Sequence, residues 1–169
     1  MTATVEEWVG YELDAGPGDV AAERGYVLHW CESVEDANPI YWDESLADEV
    51  TGGWIAPPSM LSVWMRPLMY DPRRDGSDAI RPLEVHFRLK DAFELPDGIV
   101  TANEIEFGEP VRMGDVISTR QTVREIGEIK TNRLGTGRAW TIDVICTNQH
   151  GDVVGIETYE MFSYVRAAA

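Results

Sequence analysis

The chain has 169 residues, of which 44% are apolar and 26% are charged, so it is long enough for one globular domain and too apolar for wholesale disorder. Its net charge of −16 disfavours a nucleic-acid partner, because phosphate binding needs clustered Lys and Arg. No apolar run approaches the roughly 20 residues of a membrane span, and the first ten residues do not resemble a secretory signal. Cys31 and Cys146 are the only cysteines and form no CxxC pair, which predicts a reducing, cytoplasmic setting. With no apolar run of membrane-span length, no membrane partner is expected.

The first third of the chain predicts short elements separated by turn residues. Residues 6–13 alternate loosely and predict a short strand. A helical pattern over 20–34 follows, and Asp19 can cap its start. That helix must end before Pro39, because the residue ahead of a proline is pushed out of the α region. A second short helix is predicted over 43–50.

Residues 52–69, GGWIAPPSMLSVWMRPLM, predict a turn followed by a helix over 59–69. Apolar residues occur on nearly every side of this helix, which is typical of a buried one. A proline at 57 or 58 suits its first turn, and Pro67 is expected to end or kink it.

From Leu83 onward apolar residues alternate, which predicts a run of strands. The predicted strands cover 83–89, 98–107, 115–129, 139–147 and the segment that begins at Val153, with turns at 133–138 and 148–152. Helices followed by antiparallel strands indicate an α+β fold in one domain, residues 1–169, with the sheet wrapped around one central apolar helix. This arrangement is called the hot-dog fold. Its edge strand predicts a dimer or a larger assembly.

Three stretches carry a resemblance to a known family. They are HWCESVEDANPIYWDE at 29–44, GGWIAPPSML at 52–61 and EIEFGEPVRMGDVI at 104–117. The sequence resembles the MaoC-like hydratase/dehydratase family from about residue 10 to 165, and more closely its FAS1-like or MaoC-N branch. The family signature Gly-Asp-x-Asn-Pro-x-His-x-Asp aligns with the first stretch. The family bend Phe-x-x-Pro-Val-x-x-Gly-Asp is nearly intact in the third.

The resemblance implies reversible addition of water across a trans-2-enoyl thioester, with one water held between an Asp and a His. Carried across residue by residue, the acid is Asp36, the turn is Asn38-Pro39, and the histidine position holds Tyr41. Glu35 stands where the family has glycine. A phenol is a poor general base at neutral pH, although it can donate a hydrogen bond. This departure argues against catalysis by the chain alone.

Each site residue has a second interpretation. Asp36 and Asn38 can stabilise the bend rather than contact substrate, and Tyr41 can be a packing residue. Ser59 can cap the central helix, or its backbone N–H can polarise the thioester carbonyl, as a helix start does in this family. An acyl group needs an apolar wall, which the central helix and the residues just before it can supply. The expected substrate-binding residues there are Trp54, Pro58, Ser59, Met60 and Trp64, whose apolar members can equally be core.

Six of the fourteen basic residues lie between Arg66 and Lys90. They form either a solvated loop or a docking surface for an anionic cofactor arm or an acidic partner. The insertion at 71–82 can be a lid, a CoA clamp or a partner contact, and Arg73 and Arg74 are its candidate ligands. The three histidines have no metal-ligand spacing, so no metal site is expected, and no cofactor beyond the CoA or carrier arm of the substrate.

Three functional hypotheses follow. In the first, the chain is a subunit of a heteromeric enoyl-CoA hydratase or 3-hydroxyacyl-thioester dehydratase, and shapes a cavity for a bulky acyl group while a second MaoC-like subunit supplies the Asp–His pair. In the second, it is a self-sufficient homodimer that uses Asp36. In the third, it is a non-catalytic module that binds acyl thioesters. Steroid side-chain breakdown and fatty-acid elongation are pathways that the resemblance implies.

Overall fold

A computed structural model describes residues 4–68, 70–73 and 82–167. The helices are α1 (Val5–Trp8), α2 (Arg24–Val34), α3 (Glu44–Thr51), α4 (Leu61–Trp64) and α5 (Glu84–Ala92), with 3-10 turns at Pro39–Tyr41 and Pro58–Met60. The strands are β1 (Glu12–Pro17), β2 (Asp97–Phe107), β3 (Ser118–Ile126), β4 (Lys130–Thr131), β5 (Gly135–Thr147) and β6 (Val153–Arg166). The sheet order is β1-β3-β5-β6-β2 with antiparallel pairing, and β4 pairs with β5.

The α+β hot-dog fold is confirmed. Strand β5 shows the predicted alternation, since one set of its side chains is buried and faces the helices: Trp140, Ile142, Val144 and Cys146. The predicted hairpin turn closes where the Asn148 N–H donates to the Asp152 carbonyl, 3.0 Å away, and it directs β6 back along β5. The buried side chains of α2, of residues 55–64 (the central segment) and of α5 complete one apolar core against this face of the sheet.

The central helix is much shorter than predicted. Instead of covering 59–69, it consists of the 3-10 turn Pro58–Met60 and the single turn α4, which ends at Trp64. Pro67 explains this end, because it lacks an N–H and disfavours helix at the residue before it. Beyond α4, the Leu68 N–H donates to Asp19 Oδ2 at 2.8 Å, which holds the chain in a loop.

Asp19 therefore does not cap α2, which begins at Arg24 instead of residue 20. The backbone of Ala22 is held by the loop before β3: its N–H donates to the Asp115 carbonyl, and its carbonyl accepts from Gly114, each at 2.8 Å. These bonds keep residues 20–22 out of the helix.

The strand predicted at 83–89 is wrong, and the one predicted at 6–13 is wrong except at residues 12 and 13, where β1 begins. Residues 5–8 form α1, and the Thr4 N–H donates to Glu7 Oε2 at its start. Residues 84–92 form α5, in which Val85 and Leu89 are buried one helical turn apart. Gln121 of β3 accepts from the Val85 N–H at 3.0 Å, so the sheet itself caps this helix.

Strand β2 is an edge of the sheet and carries several exposed apolar side chains. Ile99 is 41% exposed, Val100 is 53% exposed and Phe107 is 52% exposed. A long, exposed edge of this kind is a template for pairing with another strand.

Arg74 and most of the predicted insertion lie outside the described residues. Within the part that is described, no helix is long and apolar enough to cross a membrane.

Gly18 is expected to be irreplaceable, because a Cβ at this position would lie 2.6 Å from the carbonyl oxygen of Trp64. We expect Gly18→Ala to lower the free energy of unfolding by about 1–3 kcal/mol, the usual effect of overpacking. Gly25→Ala is the matched control, since Gly25 lies in α2 with nothing within 4 Å of its added Cβ. It should stabilise by about 0.5–1 kcal/mol. Urea denaturation of both variants measures the contrast, and equal effects would contradict the packing argument.

Candidate functional site

The bend after α2 is built by a helix end in the left-handed conformation. Glu35 has φ 56° and ψ 37°, and the Asp36 N–H returns to the Cys31 carbonyl at 2.8 Å. Glycine is the residue that adopts this conformation without strain, and other residues are disfavoured by roughly 1–2 kcal/mol. Glu35 therefore holds this conformation at some cost.

Asp36 and Asn38 hold the turn through their side chains. Asp36 Oδ1 accepts from the Asn38 N–H at 2.9 Å, and Asn38 Oδ1 accepts from the Ile40 N–H at 3.3 Å. Trp42 Nε1 donates to the Asp36 carbonyl at 2.9 Å, so its indole closes the bend from outside. Asp36 and Asn38 thus perform the structural role that short polar side chains have in turns.

Tyr41 is 5% exposed and lies in the core. Burial raises the pKa of its phenol, and the negative charge of Asp36 raises it further. The phenol therefore stays protonated at neutral pH and can act only as a hydrogen-bond donor or weak acceptor.

Arg24 connects the bend to the residues just before the central helix, a role that the sequence analysis missed. Its Nη1 donates to the Tyr41 carbonyl at 3.1 Å, and its guanidinium carbon lies 3.3 Å from the centroid of the Trp54 ring. A signal was present, because Arg24 is the only Lys or Arg in the first 65 residues, among thirteen Asp and Glu. A single cation in so acidic a segment is expected to have a defined position.

A shallow cleft of about 420 Å³ lies against this bend. Its lining residues come from the end of α2 and the turn: Cys31, Glu32, Glu35, Asp36, Ala37, Pro39 and Trp42. Burial raises the pKa of the Cys31 thiol, and the Asp36 charge raises it further, so the sulfur is protonated and unreactive at neutral pH. The cleft combines an apolar floor with acidic rims.

The residues expected to bind substrate are divided between core and surface. Met60 is 2% exposed and Trp64 is 1% exposed, so both are core residues in this chain. Trp64 Nε1 is buried without a hydrogen-bond partner in the part of the chain described. Pro58 and Ser59 are exposed at the first turn. Pro58 also lines a small cleft of about 90 Å³ between the central segment and the bend at 107–111.

Arg73 is exposed and bound to Asp71, whose side chain is almost fully buried. Its Nε and Nη2 donate to the two carboxylate oxygens at 2.9 and 2.7 Å. Such a bidentate pair fixes the guanidinium and leaves part of its charge at the surface.

The three histidines are dispersed, and none of their hydrogen bonds within the described residues reaches Asp36, Asn38 or Tyr41. His29 is exposed on α2, and His150 is exposed in the β5–β6 turn. His86 was expected on a strand but lies on α5, where its Nδ1 accepts from Trp140 Nε1 at 3.1 Å. Burial and the nearby charge of Lys90 lower its pKa to about 4. Over the described ranges, no group of three or more His, Cys, Asp and Glu could hold a metal ion.

The fold and the turn together define a MaoC-like dehydratase domain. Residues 7–157 match the family described as FAS1-like, dehydratase domain region, and the chain belongs to this family. A probable enoyl-CoA hydratase alpha subunit from Thermomonospora curvata is 28% identical over 173 residues, covering 95% of this chain and 50% of that protein. The chain therefore spans about half the length of this curated relative.

Two solved structures show the same fold. One chain of the ChsH1–ChsH2 complex from Mycobacterium tuberculosis aligns with a TM-score of 0.72 and 21% identity, covering 91% of this chain and 84% of that one. A MaoC-like dehydratase from Rhodospirillum rubrum aligns with a TM-score of 0.67 and 21% identity, covering 97% and 98% of the two chains.

The hydrogen bond that Asp36 accepts predicts how its variants behave. Asp36→Asn keeps an oxygen for the Asn38 N–H and should leave the free energy of unfolding within about 0.5 kcal/mol of wild type. Asp36→Ala removes the acceptor and should cost about 1 kcal/mol. Urea denaturation measures both, with Asp48→Ala on the exposed face of α3 as the control. An Asn variant as unstable as the Ala variant would show that the carboxylate charge, and not the turn, matters.

Protonation of His86 predicts a pH dependence of stability. Its pKa is about 4 in the folded protein and near 6.5 in the unfolded chain, so the unfolded state binds more protons between these values. The contribution of His86 to the free energy of unfolding is fully present above pH 6.5. It falls by up to about 3 kcal/mol as the pH drops towards 4.

Melting temperatures of wild type and His86→Gln across this range test the assignment. The slope should be smaller in the variant and unchanged in His29→Gln, whose side chain is exposed. An equal slope in wild type and His86→Gln would contradict it.

Proposed function

We propose that this chain is the non-catalytic subunit of a heteromeric enoyl-CoA hydratase or 3-hydroxyacyl-thioester dehydratase. The observation that carries the proposal is Tyr41, a buried phenol at the signature position of the histidine, with its pKa raised. The alpha-subunit name of the Thermomonospora relative and the two-component complex from Mycobacterium support it.

In this proposal the proton transfers belong to the partner. Hydration forms a C–O bond at C3 and a C–H bond at C2 of the enoyl thioester, and one water supplies both the hydroxyl and the proton. A second MaoC-like subunit with an intact Asp–His pair would hold that water. This chain would contribute the fixed bend at Asp36 and Asn38 and the exposed first turn at Pro58 and Ser59.

The role of this chain is then to bind and orient the acyl group. Its apolar core, with Met60 and Trp64 buried behind the central turn, makes a rigid wall rather than an open pocket. A wall without chemistry has a use only if the substrate is too large for the catalytic subunit alone, so the proposed substrate is a bulky or long acyl thioester. Arg73 and Arg74 remain our candidates for contact with the anionic CoA arm or with the partner.

The exposed strand β2 is consistent with assembly on a second hot-dog subunit. The self-sufficient homodimer and the non-catalytic binding module are the alternatives, and they differ from the proposal in what the purified chain does by itself.

We expect the purified chain alone not to hydrate crotonyl-CoA or a longer enoyl-CoA, and to be active after copurification with a subunit from a neighbouring gene that carries Asp-x-Asn-Pro-x-His. Loss of the enoyl-thioester absorbance measures the rate. Turnover by the isolated chain at rates on the order of 1–1,000 per second would contradict the proposal and favour the homodimer. No turnover in either form would favour the binding module.

Tyr41 itself is tested by two variants. Tyr41→His should give the isolated chain measurable activity if the rest of the site is intact, because an imidazole can act as the general base. Tyr41→Phe is the matched control, and it should leave the activity of the complex within about twofold. A large loss of complex activity in Tyr41→Phe would show that the phenol takes part in the reaction.

A further inference from the structure

Strand β6 carries an acidic side chain on the inner face of the sheet. Glu157 is 4% exposed and is paired across the sheet with Val144 on one side and Ile105 on the other. The neighbouring inward residues of β5 and β6 are apolar or weakly polar. A carboxylate in this position interrupts the alternation that otherwise keeps charge on the outer face, and the proposed chemistry does not use it.

Only one of the two carboxylate oxygens of Glu157 accepts a hydrogen bond from the described residues. Its Oε1 accepts from Asn103 Nδ2 at 3.1 Å. Its Oε2 is buried and has no hydrogen-bond partner among the described residues. Tyr159, two residues along the same face, is half-buried; burial raises the pKa of its phenol, and the nearby negative charge of Glu157 raises it further, although the phenol does not lie in hydrogen-bonding geometry with Oε2. The phenol therefore remains protonated.

Burying a carboxylate oxygen without a hydrogen-bond donor destabilises the folded protein, because the oxygen has lost its hydrogen bonds to water and no other donor replaces them. Two neighbours do not supply that donor. The positive charge of Arg66 acts on Tyr159, but none of the hydrogen bonds of Glu157 comes from Arg66. Burial, with the Glu157 charge as a second cause, raises the pKa of the Cys146 thiol to about 12, so this sulfur is neutral and a weak donor at most.

The cluster lies where the central segment leaves the sheet. Cys146 Sγ is 3.5 Å from Met65 Sδ, one residue past the end of α4, and Cys146 and Glu157 are on adjacent strands. The short central helix therefore ends beside this polar cluster instead of continuing as an apolar cover. In the proposed complex, the acyl group would reach this cluster at the end of α4 rather than through the packed core.

We propose that Glu157, oriented by Asn103 and flanked by Tyr159, is a binding site for a hydroxyl group carried by the acyl chain. The free Oε2 accepts the hydrogen bond. This inference rests on the proposed function and narrows its substrate class to acyl thioesters that are hydroxylated away from the reacting C2–C3 bond.

The first test measures binding without turnover. The probes are dodecanoyl-CoA and a panel of dodecanoyl-CoAs with one hydroxyl at successive even-numbered carbons beyond C4. At least one hydroxylated probe should bind the purified chain about tenfold more tightly than the parent, as expected for a hydrogen bond to a charged acceptor. Titrations of melting temperature against probe concentration measure the affinities.

The variants assign the site. Glu157→Gln keeps the shape and the Asn103 contact but loses the charged acceptor, so the preference for the hydroxylated probe should fall several-fold while the parent binds as before. Glu160→Gln is the matched control, because Glu160 lies on the same strand and is exposed. It should leave the preference unchanged.

Two failures can be told apart. If the reconstituted complex hydrates no enoyl thioester, the proposed function is wrong, whatever the probes show. If the parent and every hydroxylated probe bind the wild-type chain equally well, or if Glu157→Gln keeps the full preference, the hydroxyl site is wrong while the proposed function stands. The wild-type comparison remains decisive even if the Gln variant does not fold.

Discussion

The pairing of β5 with β6 is the constraint on which the rest of this molecule depends. Their antiparallel register is continuous from Gly135 opposite Arg166 to Cys146 opposite Gly155, and it commits every second side chain of both strands to one face. A slip of one residue would turn that whole set outward. Gly155 lets the central segment approach this face, because a Cβ there would lie 2.5 Å from Leu61. The position of the bend, the central turn and the Glu157 cluster all follow from this face.

Sequence reasoning succeeded where one physical signal dominated. Alternation over 139–147 and a turn with Asn and Gly at 148–152 identify the β5–β6 hairpin unambiguously. It failed at 84–92, where Val85 and Leu89 suit either period over so short a stretch, and the Gln121 side chain that caps this helix comes from a distant strand. It also overextended the central helix, because apolar composition outweighed the effect of Pro67. Contacts far apart in the chain, such as Leu68 with Asp19, have no local signature.

The candidate site shows the same contrast between local signals, which were predictable, and long-range contacts, which were not. The bend at Asp36 and Asn38 was predictable, since the residue types that make such turns are few and the family motif is local. The part of Arg24 was missed because its partners, Tyr41 and Trp54, lie 17 and 30 residues along the chain and on different elements. Glu157 was missed although its signal was present, because an inward acid in a strand becomes visible only when the facing of each residue is tracked. These misses concern polar groups whose partners are set by tertiary structure.

The exposed β2 edge has a consequence for how such a protein persists in a cell. A strand that presents Ile99, Val100 and Phe107 beside open backbone groups is a template for unwanted association until something covers it. In a two-component enzyme, a subunit without its partner would be the form that aggregates or is degraded. In the proposed complex, balanced synthesis of the two subunits, as well as their affinity, would then set how much of either survives.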